Sequence, residues 1–213
     1  MLIICSPVPN PFLNPEPEPD PELAAVLLAG GKSRRMGIDK ALLPVGGQPL
    51  LRRVADRLRA LTNQVLLSTS DPHAYDFLGL PVVADLFPGC GPMAGLHAAL
   101  LHTRRPRVLV LACDLPDVPV PLLRLLNHLA AGSDAAVPST SDGILHPVCA
   151  VYGRTCLRFV ETYLRCGAHR MLNLVENPNL RIRVVTPGSG DFCDADLVDL
   201  NSPEDYEAYL KRL

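Results

Sequence analysis

Tryptophan is absent from this chain, and only five tyrosines and five phenylalanines occur in its 213 residues. A surface that stacks successive bases of a single strand needs more rings than that. Charge of one sign is also lacking: 20 lysines and arginines stand against 22 aspartates and glutamates, a formal net charge of −2. That balance argues against a general nucleic-acid or membrane-surface binder. No apolar run is long enough to span a bilayer, and the start Met-Leu-Ile-Ile-Cys lacks the charged and apolar regions of a signal peptide. The seven cysteines are odd in number and form no C-x-x-C pair. Neither a disulfide framework nor a zinc site is expected, and reduced thiols of a cytoplasmic protein fit better.

What is present is a chain with 48% apolar residues, long enough for one domain with a sizeable core. Residues 1–21 are set apart by prolines alternating with Glu16, Glu18 and Asp20. Such a tract cannot bury apolar area and reads as an extended tail, with a single domain over residues 22–213. Apolar runs at Leu23 to Leu28, Val65 to Leu67, Val82 to Ala84, Val108 to Ala112 and Ala135 to Val137 read as strands. Between them, helical spacing runs from Leu50 to Leu61, from Pro92 to Leu101 and from Leu122 to Leu129. Further on, Val148 to Tyr152 reads as a strand, Cys156 to Leu164 and Arg170 to Val175 as helices, and Arg181 to Val185 as an edge strand. Pro203 to Leu213 reads as a closing helix capped by Ser202. Apolar strands alternating with amphipathic helices imply an α/β fold, a three-layer, Rossmann-like arrangement with a mostly parallel sheet and helices on both faces. Ligands of such sheets bind beyond the carboxyl ends of the strands.

One stretch stands at such an end. After Leu28 and Ala29 come Gly30, Gly31, Lys32, Ser33, Arg34, Arg35, Gly37 and Lys40. Glycines let a backbone approach a ligand, free N–H groups form an anion cradle, and arginine forks with lysine charges suit phosphate oxygens. The pattern fits a polyphosphate-wrapping loop. A Walker A loop is excluded, because its first glycine would fall at Val26. The dinucleotide fingerprint is excluded by Lys32, two residues after Gly30.

This stretch resembles the nucleotidyltransferase signature L-A-[GA]-G-x-S-x-R-M-G-x-D-K-x-L, and its doubled glycine is most similar to the molybdenum cofactor guanylyltransferases, the MobA type. Other elements extend the resemblance over nearly all of the chain from Leu23 onward. Cys113-Asp114-Leu115-Pro116 resembles a C-D-x-P element. Gly91-Pro92-Met93-Ala94-Gly95 resembles G-P-[LM]-A-G, preceded by Asp85 at a nucleotide-contacting position. Ser68 stands where asparagine is usual. His146-Pro147 resembles a His-Pro element near the acceptor. Asn201-Ser202-Pro203-Glu204-Asp205 resembles the closing element N-x-N-T-P-E-D, with Asp199 in place of its first asparagine.

The resemblance implies transfer of GMP from GTP to the phosphate of molybdenum-bound molybdopterin. Lys32, Ser33, Arg34 and Arg35 would hold the β- and γ-phosphates and Lys40 would neutralise charge at the α-phosphate. Asp114, with Asp199 as a second ligand, would hold Mg²⁺, which takes one or two carboxylates plus waters and phosphate oxygens. Leu28, Ala29, Ser68 and Asp85 would line the nucleotide, and His146 and Asn201 the acceptor. The residues alone leave open a turn-capping role for Asp85 and Asp114, and a structural one for His146. Transient contact with other enzymes of molybdenum cofactor biosynthesis or with acceptor enzymes is also implied. Transfer from CTP, transfer to another phosphorylated small molecule, and a catalytically silent nucleotide-binding module are the alternatives.

Overall fold

The computed structural model describes residues 18–29, 39–188 and 192–212. Strand β1 (Leu23–Leu28) leads the chain, and a 3-10 turn (Lys40–Leu42) precedes a two-stranded ribbon, β2 (Pro44–Val45) and β3 (Gln48–Pro49). Then follow α1 (Leu50–Arg59), β4 (Val65–Ser68), a 3-10 stretch (His73–Leu78), β5 (Val82–Val83), α2 (Pro92–His102), β6 (Arg107–Ala112) and α3 (Val120–Ala130). The second half holds β7 (Ala135–Pro138), β8 (Cys149–Gly153), α4 (Leu157–Arg165), α5 (Met171–Val175), β9 (Ile182–Val185), a 3-10 turn (Asp194–Leu197) and α6 (Pro203–Leu210).

The main sheet has seven strands in the order β5-β4-β1-β6-β8-β7-β9. All pairings are parallel except those of β8, which runs antiparallel to both β6 and β7. Side chains alternate across a strand, so β1 feeds two cores. Leu23, Ala25 and Leu27 join Leu51, Val54 and Leu58 of α1 and Leu122, Leu123 and Leu126 of α3. Ala24, Val26 and Leu28 join Met93 and Leu96 of α2, Val160 of α4 and Leu174 of α5. Every residue of β1 is buried, which is why its sequence is a continuous apolar run instead of an alternation.

Most expected elements are present, and the differences are local. Pro49 ends the ribbon and stands as the N-cap of α1, which runs to Arg59 where the spacing carries it to Leu61. The ribbon closes at Gly46 and Gly47, both with positive φ of 58° and 81°, as a two-residue hairpin turn requires. The 3-10 stretches at His73–Leu78 and Asp194–Leu197 carry no periodic apolar signal. Asp20 lies within the stretch read as tail, yet it is anchored. Its N–H donates to Leu61 O at 2.8 Å, and its carboxylate accepts from Arg107 at 3.1 Å and Asn127 at 2.6 Å. Proline-acid composition signals extension but not the two donors waiting at the foot of the sheet. None of the described helices is long and apolar enough to cross a membrane.

The start of α2 lies hard against the sheet. A Cβ on Gly95 would stand 2.6 Å from Leu28 Cδ2 and 2.7 Å from Ser68 Oγ. Gly95→Ala is therefore expected to destabilise the fold by about 1–3 kcal/mol, the usual cost of overpacking a core. Urea unfolding of the two proteins measures it, and a midpoint unchanged by the substitution would mean that α2 can back away freely.

Candidate active site

The carboxyl ends of β4, β1 and β6 are level, because Leu28 pairs with Ser68 on one side and Ala112 on the other. Two bonds continue this register past the strands: Ala29 N–H donates to Ser68 O at 2.9 Å, and Cys113 N–H to Leu28 O at 3.1 Å. The sheet thus engages the Ala29 N–H and one lone pair of the Leu28 carbonyl, in two residues that the resemblance set along the nucleotide. Gly30, Gly31, Lys32, Ser33, Arg34, Arg35 and Gly37 lie outside the described residues. Lys40, at the end of that stretch, does not. Its Nζ donates to Asp114 Oδ2 at 2.7 Å and reaches Leu200 O at 3.5 Å, with both charged side chains largely shielded from solvent.

Asp114 keeps its second oxygen in reserve: among the described residues, Oδ1 is buried with no hydrogen-bond partner. A buried acceptor left unpaired is costly. The Asp114 carbonyl accepts from Leu200 N–H at 2.9 Å, which docks the segment before α6 onto the end of β6 and brings Asp199 close. Burial, followed by the charge of Asp114, pushes the Asp199 carboxyl up to about 6, with Lys40 opposing. Two carboxylates beside a lysine that pairs with only one of them are short of positive charge, and a hard dication fits such a pair. Among the described residues no three His, Cys, Asp or Glu side chains group to enclose a metal ion, so phosphate oxygens or water would complete the shell.

On the other side of β1, the Ser68 hydroxyl donates to Asp85 Oδ1 at 3.3 Å. Burial pushes the Asp85 carboxyl up, while that bond and the charge of His97 draw it down. Gly91, with φ 68°, leads into α2, whose Pro92 occupies the first turn, where a missing N–H costs nothing. Ser68, Asp85 and the α2 start thus flank Leu28, while Lys40, Asp114 and Asp199 form a second group at β6. His146 lies in the connection between β7 and β8. Its Nε2 is buried without a partner among the described residues. Burial lowers its affinity for a proton, against the charges of Asp142 and Asp194. Asn201 is exposed, and its backbone N–H donates to Asp205 at 3.0 Å beside the α6 cap.

With this geometry established, comparison with known proteins is informative. The MobA-like NTP transferase domain family matches residues 25–180. The chain belongs to that family. It is accordingly an enzyme, a nucleotidyltransferase. A relative in Pelotomaculum thermopropionicum, named "Probable molybdenum cofactor guanylyltransferase", is 40% identical over 78% of this chain and 79% of its own. Among solved structures, molybdopterin-guanine dinucleotide biosynthesis protein A of Archaeoglobus fulgidus superposes with TM-score 0.72 and 23% identity, covering 89% of this chain and 97% of that one. Rv0371C of Mycobacterium tuberculosis, solved in complex with manganese, gives 0.68 and 21% over 90% of this chain and 99% of that one. At these identities the two structures bear on the fold of the transferase.

Cys113, next to Asp114, is poorly placed to act as a nucleophile. It is buried, and burial followed by the charge of Asp114 pushes its thiol up to about 12. Asp39 stands in the matched signature but was given no role from the sequence, and Tyr75, its partner, went unnoticed. Asp39 had a signal, since an acid just before a turn is a candidate cap; Tyr75 had none. Among the described residues all six cysteines are free, and they divide by exposure. A thiol reagent applied to the folded protein is expected to modify the exposed Cys166 and Cys193 and to spare the buried Cys113 and Cys149. Peptide mass spectrometry reads the pattern, and prompt labelling of Cys113 would reopen it as a reactive group.

Proposed function

We propose that this transferase moves GMP from GTP to the phosphate of molybdenum-bound molybdopterin and releases pyrophosphate, making the guanine dinucleotide form of the cofactor. The observation that carries the reading is the Lys40–Asp114 pair. A cation from the end of the signature loop meets, at 2.7 Å, a strand-end carboxylate whose other oxygen is unpartnered among the described residues. The doubled Gly30-Gly31 and the name of the 40% identical relative support guanine and molybdopterin as the two substrates.

In this reading an oxygen of the acceptor phosphate attacks the α-phosphorus of GTP. The new P–O bond forms as the bond to the β-phosphate bridging oxygen breaks, and the electron pair leaves with pyrophosphate. The acceptor is already an anion, so no general base is needed, and catalysis rests on positioning and charge neutralisation. Lys32, Ser33, Arg34 and Arg35 hold the leaving phosphates, and Lys40 meets charge developing at the α-phosphate. Leu28, Ala29, Ser68 and Asp85 line the nucleotide. His146 and Asn201 face the acceptor. Asp114 and Asp199 would hold Mg²⁺, which when bound supplies neutralisation of the phosphate oxygens. A cytoplasmic setting keeps the thiols reduced.

Pyrophosphate release with each NTP, Mg²⁺ and molybdenum-bound molybdopterin tests the reading. The expected kcat/KM favours GTP over CTP on the order of 10²-fold, the discrimination available from two unpaired hydrogen bonds. Equal values, or a preference for CTP, would overturn the guanylyl assignment.

Asp199 makes a separate prediction. In the unfolded chain its proton leaves near 3.8, but in the fold only at about 6. Over that window the native state holds more protons, so stability falls as pH rises, and the full cost is present above pH ~6. Asp199→Asn removes it. The metal-free variant is expected to be about 1–2 kcal/mol more stable than the parent at pH 7, allowing for solvent screening, and no different near pH 3. Its transfer rate should need more Mg²⁺ to reach half-maximum. Guanidinium unfolding at the two pH values and a Mg²⁺ titration measure both effects. If neither moves, Asp199 has no part in the site.

A further inference from the structure

Lys40 stands on a turn of only three residues, yet its ammonium must sit within a narrow range to act on phosphate. A lysine side chain has ample rotamer freedom to lose, so the backbone beneath it has to be held. The holding group is Asp39. Its Oδ1 accepts from Ala41 N–H at 3.0 Å and its Oδ2 from the Tyr75 hydroxyl at 2.7 Å. Leu42 N–H returns to Asp39 O and Leu43 N–H to Lys40 O, at 3.1 and 3.2 Å. Lys40 is therefore flanked by a carboxylate bonded on both oxygens and by Ala41, which is buried in the same core cluster as Tyr75 and Cys113.

Tyr75 is itself held. It is 7% exposed, and it sits at a kink of the His73–Leu78 stretch, with φ −123° and ψ 16°. Two arginines of α1 fasten the end of that stretch: Arg52 donates to Phe77 O, and Arg59 donates to Leu78 O at 2.6 Å. Burial and the neighbouring Asp39 keep the phenol protonated far above its usual range, so it is a donor at any working pH. A chain of contacts thus runs from helix α1 through Tyr75 and Asp39 to the backbone of Lys40.

We infer that Tyr75 is a positioning residue for Lys40, acting through the Asp39 carboxylate to hold the turn that aims the ammonium at Asp114 and the phosphates. The inference rests on the reading of Lys40 as the charge-neutralising group. An unrestrained turn lets Nζ wander by a fraction of an ångström or more, and misplacement of that order costs up to ~10²-fold in rate. The ring itself never meets substrate. Removing its hydroxyl lowers turnover without touching nucleotide affinity.

The test is a double-mutant cycle on the full chain, following pyrophosphate release with the preferred NTP. Tyr75→Phe keeps the ring in the core and is expected to lower kcat about tenfold, with KM for the nucleotide changed less than twofold. In a Lys40→Ala background the same substitution should cost less than twofold, because the group that it positions is gone. Asp39→Ser keeps a capping oxygen but loses the link to Tyr75. It should reproduce the kcat loss and add nothing to Tyr75→Phe. Equal losses from Tyr75→Phe with and without Lys40 would overturn the inference, as would a loss confined to KM. If Lys40→Ala alone keeps full turnover, the reading of Lys40 fails, and the inference with it. A wrong assignment of the base shows instead in the NTP preference of the unmodified enzyme and leaves the cycle unaffected.

Discussion

The parallel pairing of β1 between β4 and β6 is the constraint on which the site depends. Because Leu28 is level with both Ser68 and Ala112, three strands end at one height. The residues just past them, Ala29, Ser68 and Cys113-Asp114, share one edge. Parallel strands carry evenly spaced, slanted bonds and must be joined by crossovers, which here are α1 and α2 on opposite faces. A shift of β1 by one residue would turn its two apolar sets toward the wrong cores and separate Asp114 from the loop that leads to Lys40. Register is therefore held by the burial of every apolar side chain of β1 on its two faces.

Polar groups at that edge divide the work. Lys40 and Asp114 form a pair shielded enough to be stronger than a surface salt bridge, while Asp199 adds a second negative charge that its surroundings resist, as its raised titration to about 6 records. Clustered like charges with too few cations are a poor way to stabilise a fold and a good way to prepare a cation site. Gly95 contributes by absence: only a residue without a side chain lets α2 approach Leu28 and Ser68 so closely. The far end of the sheet is built for anchorage instead. There, Arg107 joins Asp20, Glu22 and Asn127 into one network, which secures the first residues of the folded chain.

Much of this architecture was legible in sequence because its causes are local. Continuous apolar runs marked β1 and β6, helical spacing marked α1 and α3, and Ser202 marked the start of α6, where its Oγ accepts from Asp205 N–H at 3.1 Å. Boundaries slipped at element ends, as at the end of α1, read to Leu61 and found at Arg59. The 3-10 stretches at His73–Leu78 and Asp194–Leu197 were invisible because they are too short to show a period. The reversal of β8 was not readable from Val148 to Tyr152, since a strand buried on both faces has the same apolar composition in either direction.

By itself the sequence determined the order of strands and helices, the glycine-rich basic loop and the family to which they point, since each is written in the spacing of near neighbours. Only the tertiary structure decided which distant residues meet. Lys40 finds Asp114 across 74 positions and Asp39 finds Tyr75 across 36, while Leu200 closes on Asp114 from the end of the chain. No periodicity encodes such pairs, because they follow from the register of β1, from the packing of α1 against it, and from the seating of Tyr209 of α6 with Val45 and Leu50. The same packing set the burial that raises Asp199 and leaves Asp114 Oδ1 unpaired among the described residues. Burial belongs to the whole fold, and a carboxylate in a sequence carries no mark of it.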